Sequence, residues 1–204
     1  RKQMELLTSA GFDALGIGSM EEPGFLREAG IELPMYFDQG MYSWNHLAGA
    51  AMERYGADRL TIPVELNERE IRDSGVQGEM IVYGYLPMMI SAQCIRKTTL
   101  GCSGKSEIMW LKDRKDMRFP VVNQCRFCYN TIYNSAPLSL LGLSEQVTGL
   151  KPNAVRLNFT VEEPAAAGEI LDAFFEEYGM SEKAAEPPVL RNQFTRGHFK
   201  RGVE

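Results

Sequence analysis

Histidine is nearly absent from this 204-residue chain, which carries only His46 and His198. Histidine-rich metal sites and histidine-based dyads therefore have few places to form. Neither G-x-S-x-G nor H-E-x-x-H occurs, so the local signatures of the common hydrolase and zinc-protease sites are missing. No apolar run approaches the ~18 residues of a membrane-spanning helix, and no secretory leader opens the chain, so no membrane association is expected. The net charge is −5, which argues against a surface that coats nucleic acid while leaving room for a local basic patch. Cysteine is missing before residue 94 and after residue 128. The chain opens on Arg1-Lys2-Gln3 rather than Met and enters a helical pattern at once. It is expected to be a piece of something longer.

What the chain does have is four thiols in one stretch: Cys94, Cys102, Cys125 and Cys128. The last two form a C-x-x-C pair inside Asn123-Gln124-Cys125-Arg126-Phe127-Cys128-Tyr129-Asn130. Thiolate is a soft ligand, and four of them clustered in sequence point to a metal or iron–sulfur site. Two disulfides, or buried thiols acting as small apolar side chains, are the structural alternatives. A zinc ribbon would normally use two short knuckles, whereas seven residues separate Cys94 from Cys102 and no histidine lies between Cys94 and Cys128. That spacing fits a 4Fe–4S cluster better than zinc, which stays as the alternative. Clustered thiols without a leader favour a reducing cytoplasm.

With 44% hydrophobic residues, the chain can bury a substantial core. Its first ninety residues alternate helix and strand patterns. Strands are expected at Asp13–Ile17, Leu33–Phe37, Arg59–Val64 and Glu79–Tyr83. The helices between them run over Glu21–Ala29, over Trp44–Tyr55 (capped by Ser43) and from a cap at Asn67 through Asp73. A first helix ends between Leu6 and Gly11. Residues 85–135 read as irregular loops plus a hairpin, Glu107–Leu111 against Arg118–Val121, turning through Lys112–Asp116. The β/α rhythm returns with a strand at Ala154–Phe159 and a helix over Pro164–Tyr178, which Pro164 opens in its first turn. Strands recurring about every twenty residues with one helix between them are β/α units of a parallel sheet. Five of them suit either an open sheet or the later part of an eight-stranded barrel. The domain reading is a β/α region over 1–178, with residues 85–135 inserted, then a linker and basic tail over 179–204. Ser181–Pro188 forms the linker.

In β/α folds ligands bind at the carboxyl ends of the strands. Asp38 and Gln39 follow the second strand, Glu65 follows the third, and Asn158 lies near the end of the last. These four are the candidate catalytic residues, although any one of them could simply cap a helix or a loop. His46, with Asp38 and Ser43 or with Cys94, would matter only in a peptidase. Arg96 and Arg126 beside the cysteines, and Arg196 and Lys200 in the tail, are candidate substrate-binding cations. With Phe194 and Phe199 nearby, they suit single-stranded RNA.

Several stretches carry a family resemblance. They include Glu79-x-x-Val82-Tyr83-Gly84-x-x-Pro87-Met88-Met89 leading to Cys94, Gly101-Cys102, Leu111-Lys112-Asp113-Arg114 and Phe119-Pro120-Val121. Cys125-x-x-Cys128-Tyr129-Asn130 and Ala136-Pro137-Leu138-Ser139-Leu140 continue the series. Together with Gly24–Gly30, Tyr42-Ser43-Trp44-Asn45 and Thr195–Gly202, they resemble peptidase family U32, the collagenase-like proteases. Where the commoner family pattern reads Gly-Ala-Leu-Cys, this chain has Tyr85-Leu86-Pro87, so one family cysteine is absent. The resemblance implies an α/β fold made of the later β/α units of a TIM-like barrel, incomplete in this chain, with a cysteine-bearing loop and hairpin insertion. A missing N-terminal barrel segment or a second copy of the chain would cover the open edge. The resemblance also implies two functions. One is peptidase activity. The other is that of relatives whose four cysteines hold a 4Fe–4S cluster and which support hydroxylation of ribosomal RNA or of ubiquinone precursors.

Overall fold

The computed structural model describes residues 9–180 and 193–202. The first expected helix and the Ser181–Pro188 linker lie largely or wholly outside them. The fold is mixed α/β. The chain divides into two compact units: Arg1–Ile81 with Glu145–Arg156 and Gly197–Glu204, and Val82–Ser144 with Leu157–Arg196.

In the first unit, β1 (Leu15–Ile17), β2 (Met35–Phe37) and β3 (Ala57–Leu60) form a parallel sheet in that order. A parallel bridge from Thr61 to Glu79 carries the pairing toward the start of β4 (Glu79–Gly84). Between β1 and β2 runs α1 (Glu22–Glu28), with Pro23 in its first turn and Gly30 just past its end at φ 70°. Between β2 and β3 lies α2 (His46–Tyr55), and α3 (Glu68–Ser74) precedes β4. Asn67 and Glu70 form a reciprocal capping box at the start of α3, so two otherwise orphaned backbone donors are satisfied. The core of this unit joins Ile17, Leu26, Phe37, Met52, Leu60 and Val76. These are the inward positions of the strands and the helix faces laid over them.

Two local expectations are corrected here. Ser43 does not cap α2: it is buried and its hydroxyl donates to the Thr61 carbonyl, 3.2 Å away. Asn45 is the cap, accepting from the Ala48 amide at 3.0 Å. The third strand begins earlier than Arg59, because Gly56 at φ 108° ends α2 and delivers the chain directly into Ala57. It also stops before Pro63, which has no N–H to give a ladder.

The second unit corrects the reading of residues 85–135 as mainly irregular. A four-stranded antiparallel sheet runs in the order β5 (Pro87–Ser91), β8 (Tyr129–Tyr133), β7 (Arg118–Gln124), β6 (Ile108–Lys112). The expected hairpin is the β6–β7 pair, with Leu111 opposite Phe119. Its turn is held by the Asp113 carboxylate, which accepts from Lys115 N at 2.7 Å and Met117 N at 2.9 Å. After Cys94 comes α4 (Ile95–Thr99). The short β9 (Leu138–Ser139) pairs antiparallel with the end of β4, and β10 (Ala154–Asn158) lies on the other side of β4. α5 (Ser144–Gly149) precedes β10 and α6 (Pro164–Glu177) follows it. Gly84, at φ 149°, lies so close to Asn158 that a Cβ would stand 2.5 Å from the Asn158 carbonyl oxygen. Among the described residues the strands form no closed barrel, and no helix is long and apolar enough to cross a membrane.

Candidate metal centre

The four cysteines, 34 positions apart at their extremes (128 − 94), line one cavity of about 480 Å³ in the second unit. Two short segments deliver them. The β7–β8 hairpin closes through Cys125-Arg126-Phe127-Cys128, with Phe127 N donating to Gln124 O at 3.0 Å and Cys128 in the left-handed region at φ 55°. The segment after β5 carries Cys94 at the start of α4 and Cys102 just past Gly101. All four are free thiols in this structure.

Two asparagines hold these segments. They face each other across the hairpin, Asn123 on β7 and Asn130 on β8, and both are almost fully buried. Buried amides mostly find hydrogen-bond partners, and the N–H groups of both do so here. The Asn123 side-chain oxygen accepts from Glu107 N, while its Nδ2 donates to Lys105 O at 3.3 Å and to Cys125 Sγ at 3.5 Å. Asn130 Nδ2 donates to Gln93 O at 2.8 Å and to Ser91 O at 3.4 Å. Asn123 thus ties the Lys105–Glu107 segment to the Cys125 side of the cavity, and Asn130 ties down the residues that lead into Cys94.

The thiols sense one another. Burial first, then the nearby Cys102, Cys94 and Cys128 groups and the Glu107 carboxylate, push the Cys125 thiol up. As a thiol it donates to Lys105 O at 2.9 Å. Among the described residues, no three His, Cys, Asp or Glu side chains converge as ligands for a single metal ion. Four free thiols around one cavity are the donor set that a bound metal or cluster would meet here.

The other expected site residues are scattered. Asp38 caps a 3₁₀ turn over Gln39–Met41 by accepting from Gln39 N at 2.8 Å. Its carboxylate also pairs with Arg156 Nη2 at 2.6 Å, and Arg156 Nε pairs with Glu79 at 3.2 Å. Gln39 keeps a buried Oε1 without a partner. Glu65 is half-buried between β3 and α3. Asp38, Gln39 and Glu65 belong to the first unit, whereas Asn158 and the cysteines belong to the second. His46 is exposed on the first turn of α2, and the buried Ser43 hydroxyl is already committed to Thr61.

Of the four candidate cations, Arg96 pairs with Glu107 at 3.3 Å. Arg196 Nη1 donates to Ser139 O at 2.7 Å and Leu141 O at 2.5 Å, so it fastens the end of the chain to the β9 segment. Lys200 lies 3.9 Å from Glu68. Arg126 is exposed at the hairpin tip and stacks over Phe127, 5.3 Å from the ring centre. Phe127 in turn stacks with Tyr129 at 6.3 Å.

Asn123 and Asn130 are given no role by the sequence reading. A signal existed: the C-x-x-C pair is framed by asparagines at mirrored spacing, Asn123 two residues before Cys125 and Asn130 two after Cys128. The sequence profile described as peptidase family U32 matches residues 1–170. No curated protein and no solved structure matches the chain.

Proposed function

Because the chain belongs to peptidase family U32 over residues 1–170 and gathers its four free thiols around one cavity, we propose that Cys94, Cys102, Cys125 and Cys128 ligate a 4Fe–4S cluster. The protein then supports hydroxylation-type modification of RNA or a small molecule. The convergence of all the chain's cysteines on that one cavity carries this reading. When bound, the cluster supplies one-electron redox chemistry. The chain's own part is to hold the two cysteine segments in register through Asn123 and Asn130, and to place Lys97 beside the thiolates.

An RNA substrate is supported by the hairpin tip, where Phe127 stands 64% exposed beside the Arg126 guanidinium and Tyr129. Cation and open ring are the two elements that grip unpaired nucleotides, by phosphate attraction and base stacking. We further propose that the parallel strands are the later units of a TIM-like barrel, completed by a preceding segment or by a second copy of the chain.

The peptidase alternative would need a nucleophile with an oriented base within about 3 Å. Ser43 bonded to Thr61 and His46 facing outward do not supply one. Anaerobic purification with iron, sulfide and zinc analysis tests the cluster. About four irons per chain, lost on Cys-to-Ser substitution at any of the four positions, is the expected result. Stoichiometric zinc without iron would favour a structural metal module. Gelatin cleavage that stops in His46→Ala but survives the cysteine substitutions would favour the peptidase reading.

A further inference from the structure

Asn123 stands out among the residues near the cavity because it is the one described side chain outside the four cysteines that hydrogen-bonds to a cysteine sulfur. Its carboxamide Nδ2 carries two hydrogens, and two acceptors lie in reach: Lys105 O at 3.3 Å and Cys125 Sγ at 3.5 Å. In the free thiol, Cys125 itself donates to Lys105 O. A ligating cysteine has given up that proton, so Lys105 O loses a donor just as the sulfur becomes a stronger acceptor. Asn123 can serve both with its two N–H groups. Only 1% of Asn123 is exposed, so water cannot take its place. Its orientation is not free to invert either, because Oδ1 is held by the Glu107 amide; turning the amide over would set oxygen against oxygen and sulfur.

Resting on the cluster reading above, we propose that Asn123 is a positioning residue for the cluster. It fixes the Cys125 sulfur and raises the cluster's reduction potential by donating a hydrogen bond to it. The physical basis is general: an N–H aimed at a ligating sulfur draws off electron density and favours the reduced, more negative state of the cluster. Asn130 provides the contrast. It occupies the mirrored place on β8 and is equally buried, but its amide goes to the Ser91 and Gln93 carbonyls. It shapes the cavity without touching sulfur.

The test is a redox titration of the reconstituted full chain, followed by absorbance and electron paramagnetic resonance. Iron is counted first in the wild-type protein; a wild type that takes up no iron overturns the cluster reading and this proposal together. Given a loaded wild type, Asn123→Ser, too short to reach the sulfur, removes the N–H donor without adding charge. It is expected to retain iron and to shift the midpoint downward by a tenfold change in the reduced-to-oxidised ratio, about 59 mV for a one-electron couple. Asn123→Ala, which also lacks the donor, serves if the serine variant does not fold. As a measurement that needs no variant, the reduced wild type labelled with ¹⁵N-asparagine should show coupling from the side-chain amide to the cluster spin. Unchanged midpoints in both variants, with iron retained, would overturn the proposal and leave the cluster reading standing. Absence of the ¹⁵N coupling would do the same.

Discussion

Replacing Asn130 with alanine should loosen the cysteine segment without dismantling the fold, and the structure sets the size of the effect. Two hydrogen bonds disappear, from Nδ2 to Gln93 O at 2.8 Å and to Ser91 O at 3.4 Å. A typical bond contributes about 1 kcal/mol net. The shorter bond should carry its full share and the longer one less. Gln93 is exposed and Ser91 half-buried, so water can reach the released carbonyls and the penalty for stranding them is small. Removing the Asn130 side chain from a fully buried position leaves a small void, but it also removes an orphan, because the Asn130 Oδ1 has no partner. The net cost is therefore about 2 kcal/mol. With a urea slope of about 2 kcal/mol per molar, the midpoint of the second unit should fall by about 1 M. Fluorescence of Trp110, on β6 in that unit, reads the transition cleanly in a Trp44→Phe background. Asn130→Asp should be worse than alanine, since it sets a negative oxygen 2.8 Å from a carbonyl oxygen. Iron uptake should weaken in parallel, because Gln93 leads directly into Cys94. A midpoint unchanged in the alanine variant, or an aspartate variant as stable as it, would refute the idea that Asn130 clamps this segment.

Tyr178 gives a pH dependence of definite sign. Burial, helped by the Glu177 charge, holds its hydroxyl up at about 12 against an ordinary value of 10.0. The unfolded chain therefore releases this proton first as pH rises. The stabilisation is complete below pH 10 and is lost between pH 10 and about 12. Urea midpoints should fall over that window, and Tyr178→Phe should flatten the fall. At neutral pH the same change should be neutral or mildly stabilising, because the buried hydroxyl has no partner. Gly84→Ala should cost at least about 2 kcal/mol by chemical denaturation, since a Cβ there meets backbone at 2.5 Å and the φ of 149° is strained for any L residue. Asn67→Ala should cost about 1 kcal/mol by the same measurement, through loss of the capping box; no loss would mean that α3 is held by packing alone.

The legible parts of the sequence were those where local chemistry and tertiary context agree. Gly30 and Gly56 punctuate the helices as their backbone limits require, and Asn67 announced its helix. The four thiols announced the cavity by their isolation in the sequence. β5 and β8 were illegible for a reason. Pro87-Met88-Met89-Ile90-Ser91 has no alternation and opens on a proline, while Tyr129-Asn130-Thr131-Ile132-Tyr133 carries as its second residue an asparagine that is fully buried. Only the pairing of these two segments with each other and with β7 makes them strands. Arg196 misled in the other direction: a cation in a basic stretch suggests a partner outside the chain, yet backbone carbonyls consume it. Charge can be counted from sequence, but commitment of a charged group to an internal acceptor cannot.

Cys128 shows what the cavity demands of the backbone. At φ 55° it adopts a conformation that costs an ordinary L residue roughly 1 kcal/mol and that glycine enters freely. A chain shaped only by thermal endurance would put glycine there, closing the turn with less strain and discarding a reactive thiol exposed to oxidants. Under the ligation proposed above, retaining sulfur at this strained place in the hairpin is a trade of durability for chemistry. It can be read by comparing two proteins that lack this one thiol: Cys128→Gly should outlast Cys128→Ala on heating, although neither can complete the set of four sulfurs. The position is thus a place where laboratory stabilisation and natural function pull in opposite directions, and selection for heat resistance alone would be expected to erase the site there first.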